Sequence, residues 1–450
     1  MTQSPTLTAN RDRISARPSR AFLTDTRAST GIMFALLFVP AFGLIACAID
    51  YSRAISVRTA LLSAADNATF AGIGSTTEGY KAAMAMTADG HVTLSETDAA
   101  AYFENQVGTI KDIKSFTKTV SVVKAGGSLT STVSFTAQLN SSFGAIVGIT
   151  THNISGKASA ANSIPVFQDF YLMLDDSPSM GVAATAADII NLQNLTKNTP
   201  DGACAFACHD LNAAAGKSNY DIAKANSITT RIDVLRQATT QLFTTATNLR
   251  SDPKQFGMGI HTFDIGLNKL SDVTTDMTSA ATDAAKIDLM GVRRTDANFA
   301  QDTDFNSSIQ AMNSLLPTPG TGITVNSRQE VVFLVTDGVA DFNIGTGGNA
   351  GGGRQIEAFN QTKCQPIKDR GIKIAVLYTP YLPLPTNGYY NTHVKSLAEK
   401  PNAVTDSAVT AALKGCATDG MFFEVSPTQG IADAMSALFQ KVVGMAHLTK

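Results

Sequence analysis

The hydrophobic positions of this chain change their spacing twice. From Gly31 to Ile49 the run GIMFALLFVPAFGLIACAI carries no charge. It is as long as the roughly 17–25 residues that cross a bilayer as a helix, with Pro40 as a candidate kink. Ile49–Phe70 then has no glycine or proline and places Ile55, Leu61, Leu62 and Ala65 at helical spacing, so the helix is predicted to continue outwards. From about 73 to 164 the pattern is amphipathic. Ser95–Val107 reads as a helix capped by Ser95 with Asp98 three positions on. Thr119–Val123 and Ser128–Gln138 alternate as strands around an Ala125-Gly-Gly127 turn. Phe143–Ile149 is a short apolar segment, and Thr150–Ala161 is a further strand candidate.

From Pro165 onwards the runs become apolar at nearly every position: Phe170–Leu174, Val331–Val335 and Ile372–Tyr378. Such runs suit strands buried on both faces of a parallel sheet. Phe256–Phe263, a weaker Leu267–Val273 and Met421–Val425 add strands. Helices are predicted at Arg231–Leu249, with Ile232, Leu235, Ala238 and Leu242 on one face, near Thr278–Leu289, at Phe305–Leu316 and at Thr428–Met445. Strands alternating with helices predict a doubly wound, mainly parallel α/β fold. The plan is a polar tail (1–30), a transmembrane helix (31–49), a helical stalk with a small α+β region (50–164) and the α/β domain (165–450), which carries an insertion at about 181–230.

Charge alters this picture only locally. With 35 Lys and Arg against 37 Asp and Glu, nothing points to nucleic acid. Arg11, Arg13, Arg17, Arg20 and Arg27, opposed by Asp12 and Asp25, precede the apolar run, which places the N-terminus in the cytoplasm and the bulk outside. Ala46-Cys47-Ala48 also looks like a signal cleavage site, and Leu44–Cys47 like a lipoprotein box with Cys47 lipidated. The long leader and the length of the apolar run favour an uncleaved anchor instead. Four of the five cysteines lie downstream, Cys204, Cys208, Cys364 and Cys416, an even number that fits disulfides in an oxidising compartment. For Cys204-Ala-Phe-Ala-Cys208-His209 a local disulfide is preferred. Zinc would need a fourth ligand, and covalent haem a spacing one residue shorter.

The candidate chemistry sits at strand ends. The Phe170 run ends in Asp175-x-Ser177-x-Ser179, and in extended chain the three side chains point the same way. The Val331 run ends in Asp337, and Thr303 stands just ahead of the Phe305 helix. One hydroxyl-rich oxygen set beyond strand carboxyl ends suits a hard divalent cation. Strand-end capping is the plainer use of such residues, but it does not require three pieces in this order. The order DxSxS, Thr, Asp resembles the metal-ion-dependent adhesion site of von Willebrand factor A domains. The resemblance implies that Asp175, Ser177, Ser179, Thr303 and Asp337 hold Mg2+, or Mn2+ or Ca2+, and that a partner's acidic residue completes the shell. The usual glycine before the threonine is Asp302 here. Gly345–Gly353 lacks the Gly-Lys-Ser/Thr of a phosphate loop and is expected to be a mobile loop beside the site, placed to gate it or touch a partner. No H-E-x-x-H or G-x-S-x-G occurs, and His261 reads as a core residue. Binding rather than catalysis is expected. A metal-dependent hydrolase would have only Asp176, Asp302 and Asp304 to offer as bases.

A second resemblance is independent of the first. Asp50, Tyr51, Arg53, Ala54, Ala64, Ala65, Asp66 and Ala68 follow the apolar anchor in a pattern closely similar to the TadE/TadG-like proteins of Flp (tight-adherence) pilus assembly, over about residues 30–72. A long helix followed by a small sheet is also pilin-like. In TadG-like proteins two cysteines recur at the positions of Cys364 and Cys416, so the resemblance implies that they pair. It further implies a single-pass protein of the bacterial inner membrane with its bulk in the periplasm, acting with pilin or pilus secretion-machinery proteins. A surface adhesin for host or matrix ligands is the alternative.

Overall fold

The structure, a computed structural model, describes residues 29–125, 127–199, 202–205, 209–292, 302–402, 405–425 and 430–446. The expected N-terminal tail and the Cys208 half of the expected local disulfide therefore lie outside the described residues. The chain forms two compact units. The first takes residues up to 74 with 93–122 and 131–160, and the second takes 75–92, 123–130 and 161 onwards.

The first unit is built on one helix, Ser29–Ile73, which runs through Pro40 unbroken. At 1.5 Å per residue it is about 68 Å long. Its first half is apolar and exposed, and it is the one described helix long and apolar enough to cross a membrane. Its second half buries Leu61, Ala64, Ala65 and Ala68 against Phe103, Val107, Val133 and Phe135. The helix Thr93–Val107 packs on it. The expected cap, Ser95, lies instead inside that helix and is fully buried. Ser95 lies at a tight helix crossing: a Cβ on Gly72 would come within 3.1 Å of Ala99 Cβ and 3.2 Å of the Ser95 carbonyl, so only glycine fits at position 72. Strand β1 (Gly90–His91), which belongs to the second unit, precedes that helix, and β2 (Ile113–Ala125), β3 (Ser128–Asn140) and β4 (Thr151–Ser163) follow it, the larger part of each in the first unit. The four form a sheet in the order β1-β2-β3-β4.

The second unit holds a six-stranded sheet. Its members are β5 (Gln168–Asp175), β7 (Phe256–Phe263), β8 (Leu267–Thr274), β10 (Gln329–Thr336), β13 (Lys373–Tyr378) and β14 (Phe422–Glu424), in the order β14-β13-β10-β5-β7-β8. All neighbours are parallel except the edge pair β7–β8. Short pairs flank it: β6 (His209–Asp210) with β9 (Gly291–Val292), and β11 (Val339–Asn343) with β12 (Arg354–Ala358). The central strands are buried on both faces, as their unbroken apolar runs require. Phe170 meets Phe439 of the closing helix Ile431–Ala446 on one face, while Phe263 meets Phe305 on the other. The sheet is thus covered by helices on both sides.

The chain leaves β5 towards β7 and β8 on one side, then returns to β10 and continues to β13 and β14 on the other. The strand order therefore reverses between β5 and β10, the place where open α/β sheets form a ligand crevice. Asp175 ends β5, and Asp337 follows Thr336, the last residue of β10.

Candidate metal centre

Asp175, Ser177 and Asp337 are each fully buried at this crevice. Asp175 Oδ1 accepts from the Ser177 amide (3.1 Å) and the Ser177 hydroxyl (2.5 Å), and its Oδ2 accepts from the Thr336 hydroxyl (2.6 Å). The Ser177 and Ser179 hydroxyl oxygens are 3.0 Å apart. They do not converge by extended alternation. Pro178–Gly181 forms a 3-10 turn directly after Ser177, because Pro178 presets the first helical position. That turn swings Ser179 back beside Ser177. Gly338 adopts φ +75°, and a Cβ there would meet Val409 at 2.6 Å. Only glycine allows β10 to turn away directly after Asp337.

Thr303 joins from its own loop. Its amide donates to the Asp341 carbonyl (2.8 Å) and its carbonyl accepts from the Asp341 amide (2.9 Å). Asp302, standing where a glycine was expected, is not among the positive-φ residues, and its amide bonds the same Asp341 carbonyl at 3.0 Å. The loop therefore reaches its position without a glycine. Ser179 and Thr303 both line a pocket of about 220 Å3, with Asp302, Arg354, Tyr381 and Tyr389 around them.

Electrostatically the crevice is short of positive charge. Burial and then the neighbouring Asp337 push the Asp175 carboxyl up. Burial and then Asp264 push Asp176 up to about 8. Burial and then Asp341 push Asp302 up to about 7. Asp337 Oδ1 accepts from the Val339 amide (3.2 Å), whereas its buried Oδ2 has no hydrogen-bond partner. An orphaned carboxylate oxygen is costly unless a cation meets it. The donors present, hydroxyls and carboxylates, are the hard oxygens that Mg2+, Mn2+ and Ca2+ prefer. The residues present fit such an ion. They include only two carboxylates, and among the described residues no group of three or more His, Cys, Asp or Glu is placed to hold a metal.

Several residues that shape the site carried no legible signal. Arg231, the first residue of the helix Arg231–Leu249, is buried with its Nη1 3.6 Å from Asp337 Oδ2. Its Nη2 donates to the Thr379 hydroxyl (2.6 Å) and the Thr379 carbonyl, and its guanidinium lies over the Tyr381 ring. Tyr381 in turn lines the same pocket as Ser179. Arg354 pairs with Asp341 and lies 3.4 Å from Asp302, while the Tyr389 hydroxyl donates to Asp341 (2.9 Å).

Gly345–Gly353 is the tip of the β11–β12 hairpin, held by bonds such as Ile344 amide to Gly353 carbonyl (2.8 Å) and Gly353 amide to Gly347 carbonyl (2.9 Å). The expected loop beside the site is thus a hydrogen-bonded turn. Cys364 and Cys416 form a disulfide. Cys204 lines the pocket, its amide donating to the Thr196 hydroxyl at 3.0 Å. His261 is buried in β7, stacked on Tyr171, a core residue as expected.

The fold is that of a doubly wound α/β unit in a chain that also carries a long apolar helix. Residues 28–86 match the family model described as Flp pilus-assembly TadE/G-like. No curated protein matches the chain. Among solved structures, the conserved hypothetical protein BatB from Bacteroides thetaiotaomicron is similar at 13% identity, over 62% of this chain and 99% of that one, with a TM-score of 0.33. The von Willebrand factor domain of the type V pili tip protein Mfa5 from Porphyromonas gingivalis is similar at 11% identity, over 64% and 97%, with a TM-score of 0.34. The PilB minor pilin from Streptococcus sanguinis is similar at 10% identity, over 75% and 78%, with a TM-score of 0.32.

Proposed function

We propose that this chain is a membrane-anchored pilus-assembly protein whose α/β unit binds a protein partner through a divalent metal ion. Asp175, Ser177, Ser179, Thr303 and Asp337 would hold the ion. When bound, it supplies an electrophilic centre for an acidic side chain of the partner. The observation that carries this reading is the buried Oδ2 of Asp337 at the reversal of strand order, which has no hydrogen-bond partner and meets only the Arg231 guanidinium at 3.6 Å. Asp175 lies within its electrostatic reach, and hydroxyls rather than further carboxylates complete the set. With only two carboxylates, a bound divalent ion keeps its appetite for an external anion.

The TadE/G-like match over residues 28–86 supports a place in Flp pilus biogenesis. The exposed apolar start of the long helix supports anchoring in a membrane. Together with the arginines ahead of it, this favours the bacterial inner membrane with the bulk of the chain in the periplasm. Pilin or secretion-machinery proteins are the partners this place implies. The hydroxyl and carboxylate oxygens of the crevice suit holding an ion, which supports binding rather than turnover.

The test is a count of surface pili by electron microscopy in the parent bacterium, a deletion strain, and the deletion complemented with wild-type or Ser177→Ala/Asp337→Ala protein at matched levels. Restoration by the wild type alone is expected. Pili restored equally by the double variant would remove the ion from the assembly role. A fully piliated deletion strain would sink the pilus reading and bring the adhesin forward.

A further inference from the structure

The apolar segment Phe143–Ile149 has no role in the metal centre, and its position is tied to the membrane helix. Asp50 is the first ionisable residue after the uncharged run Gly31–Ile49. A run of that length matches the roughly 30 Å hydrocarbon core, so Asp50 stands where the helix emerges from the bilayer. Its buried carboxylate accepts from three consecutive amides of the loop: Ser142 (3.0 Å), Phe143 (3.1 Å) and Gly144 (2.7 Å). The Ser141 hydroxyl adds a fourth bond. Gly144 is needed for this approach, since a Cβ there would meet Ser141 Oγ at 2.6 Å and Asp50 Oδ2 at 3.3 Å. The loop is closed on itself by Ser141 amide to Thr150 carbonyl and Ile149 amide to Gly144 carbonyl, both 2.9 Å. It is therefore an ordered projection fixed at the helix exit.

Its chemistry is wrong for water. Phe143-Gly-Ala-Ile-Val-Gly-Ile149 carries no charged or polar side chain, and Phe143 and Ile149 are 45% and 41% exposed. Ile49 and Tyr51, on the helix at the same level, are exposed too. Apolar side chains beside an aromatic, at the depth where a spanning helix leaves the lipid, suit the boundary between headgroups and acyl chains.

We propose that the loop 141–150 is a second membrane contact, seating Phe143 and Ile149 in the outer face of the same bilayer that the helix Ser29–Ile73 crosses. Two contacts would fix the tilt of the first unit at the membrane surface, where the helix alone would leave it free to swivel. The inference rests on the membrane-anchor reading of that helix.

The chain contains no tryptophan, so each single substitution to tryptophan is its own fluorescent probe. The full-length variants Phe143→Trp, Ile149→Trp, Phe38→Trp (within the apolar run) and Tyr102→Trp (exposed on the helix Thr93–Val107) are reconstituted into phosphatidylcholine vesicles. The lipid is unlabelled or carries bromines, in one batch near the headgroup end of its acyl chains and in another deep along them, so that both shallow and central positions meet a quencher. Phe143→Trp and Ile149→Trp should emit at shorter wavelength than Tyr102→Trp and lose at least about half their intensity to the brominated lipid, with Tyr102→Trp unchanged. If Phe38→Trp is quenched while both loop variants behave like Tyr102→Trp, the helix is anchored and the loop contact is wrong. If Phe38→Trp is itself unquenched, the anchor reading falls and takes this inference with it.

Discussion

Two buried carboxylate sites divide this molecule between them, and they are built in opposite ways. Asp50 receives four donors, the Ser141 hydroxyl and three amides, and this holds its carboxyl well below the usual carboxylate range. Asp175 and Asp337 face each other's charge in a fully buried crevice. Asp175 is pushed up, and Asp337 keeps one oxygen with no hydrogen-bond partner. Burial alone therefore does not identify a functional acid. A saturated carboxylate ties two segments together, whereas an undersupplied pair is poised for a cation from outside.

The strongest way to break the comparison is to supply that cation. A ligand at a hundredfold excess over its dissociation constant stabilises a fold by about 2.7 kcal/mol. Mg2+ or Mn2+ should accordingly raise the melting temperature of the second unit in the wild type and leave the Ser177→Ala/Asp337→Ala variant unmoved, as read by calorimetry in detergent. Asp50→Asn should keep the full cation response. A cation response that vanishes in Asp50→Asn, or survives in the double variant, would erase the distinction.

Acidity separates the two sites by sign. Asp175 has its carboxyl raised by folding, so in chelator it lowers stability as pH climbs from the ordinary value of about 3.9 through the raised one. Asp50 is lowered by folding, so its contribution is present above about 3.9 and fades as pH falls below it. Amide exchange followed from acid to neutral pH should show segments around 170–175 losing protection as pH rises, and segments around 141–144 losing it as pH falls. Asp175→Asn should flatten the first trend and Asp50→Asn the second. Trends of equal sign would mean that the crevice already holds enough positive charge.

How far such a difference can be read from the residues alone depends on the range of the contacts. The strands β5, β10 and β13 were legible because burial on both faces leaves unbroken apolar runs. The helix Arg231–Leu249 was legible because its apolar positions recur at helical spacing. Asp175, Ser177 and Asp337 were legible because they abut those runs. What stayed hidden depends on distant partners. Asp50 meets a loop more than ninety residues later, and nothing in its own neighbourhood marks the encounter. Ser95 has the spacing of a cap but lies at a tight helix crossing with Gly72. Arg231 looks like an ordinary first helical residue, and only the sheet topology brings it to Asp337.

That arginine gives the finest test of how undersupplied the crevice is. Its Nη1 lies 3.6 Å from Asp337 Oδ2 without a hydrogen bond between them. It therefore supplies partial charge compensation when no ion is present, and repels an ion that arrives. Removing the charge should move two quantities in opposite directions. In chelator, Arg231→Gln should unfold at lower temperature than the wild type, because two buried carboxylates then face each other with less positive charge nearby. In Mn2+ titrations the same variant should bind more tightly. A unit charge a few ångströms beyond the site, at an effective dielectric near 20, is worth on the order of 1–2 kcal/mol, or about tenfold in the dissociation constant. Arg231→Lys keeps the charge while losing the planar fork that grips Thr379, and should bind Mn2+ as the wild type does. If Arg231→Gln and Arg231→Lys bind Mn2+ equally well, the guanidinium only braces β13 through Thr379. If Arg231→Gln binds more weakly, Arg231 orients Asp337 for the ion, and the crevice is better supplied than its orphaned oxygen suggests.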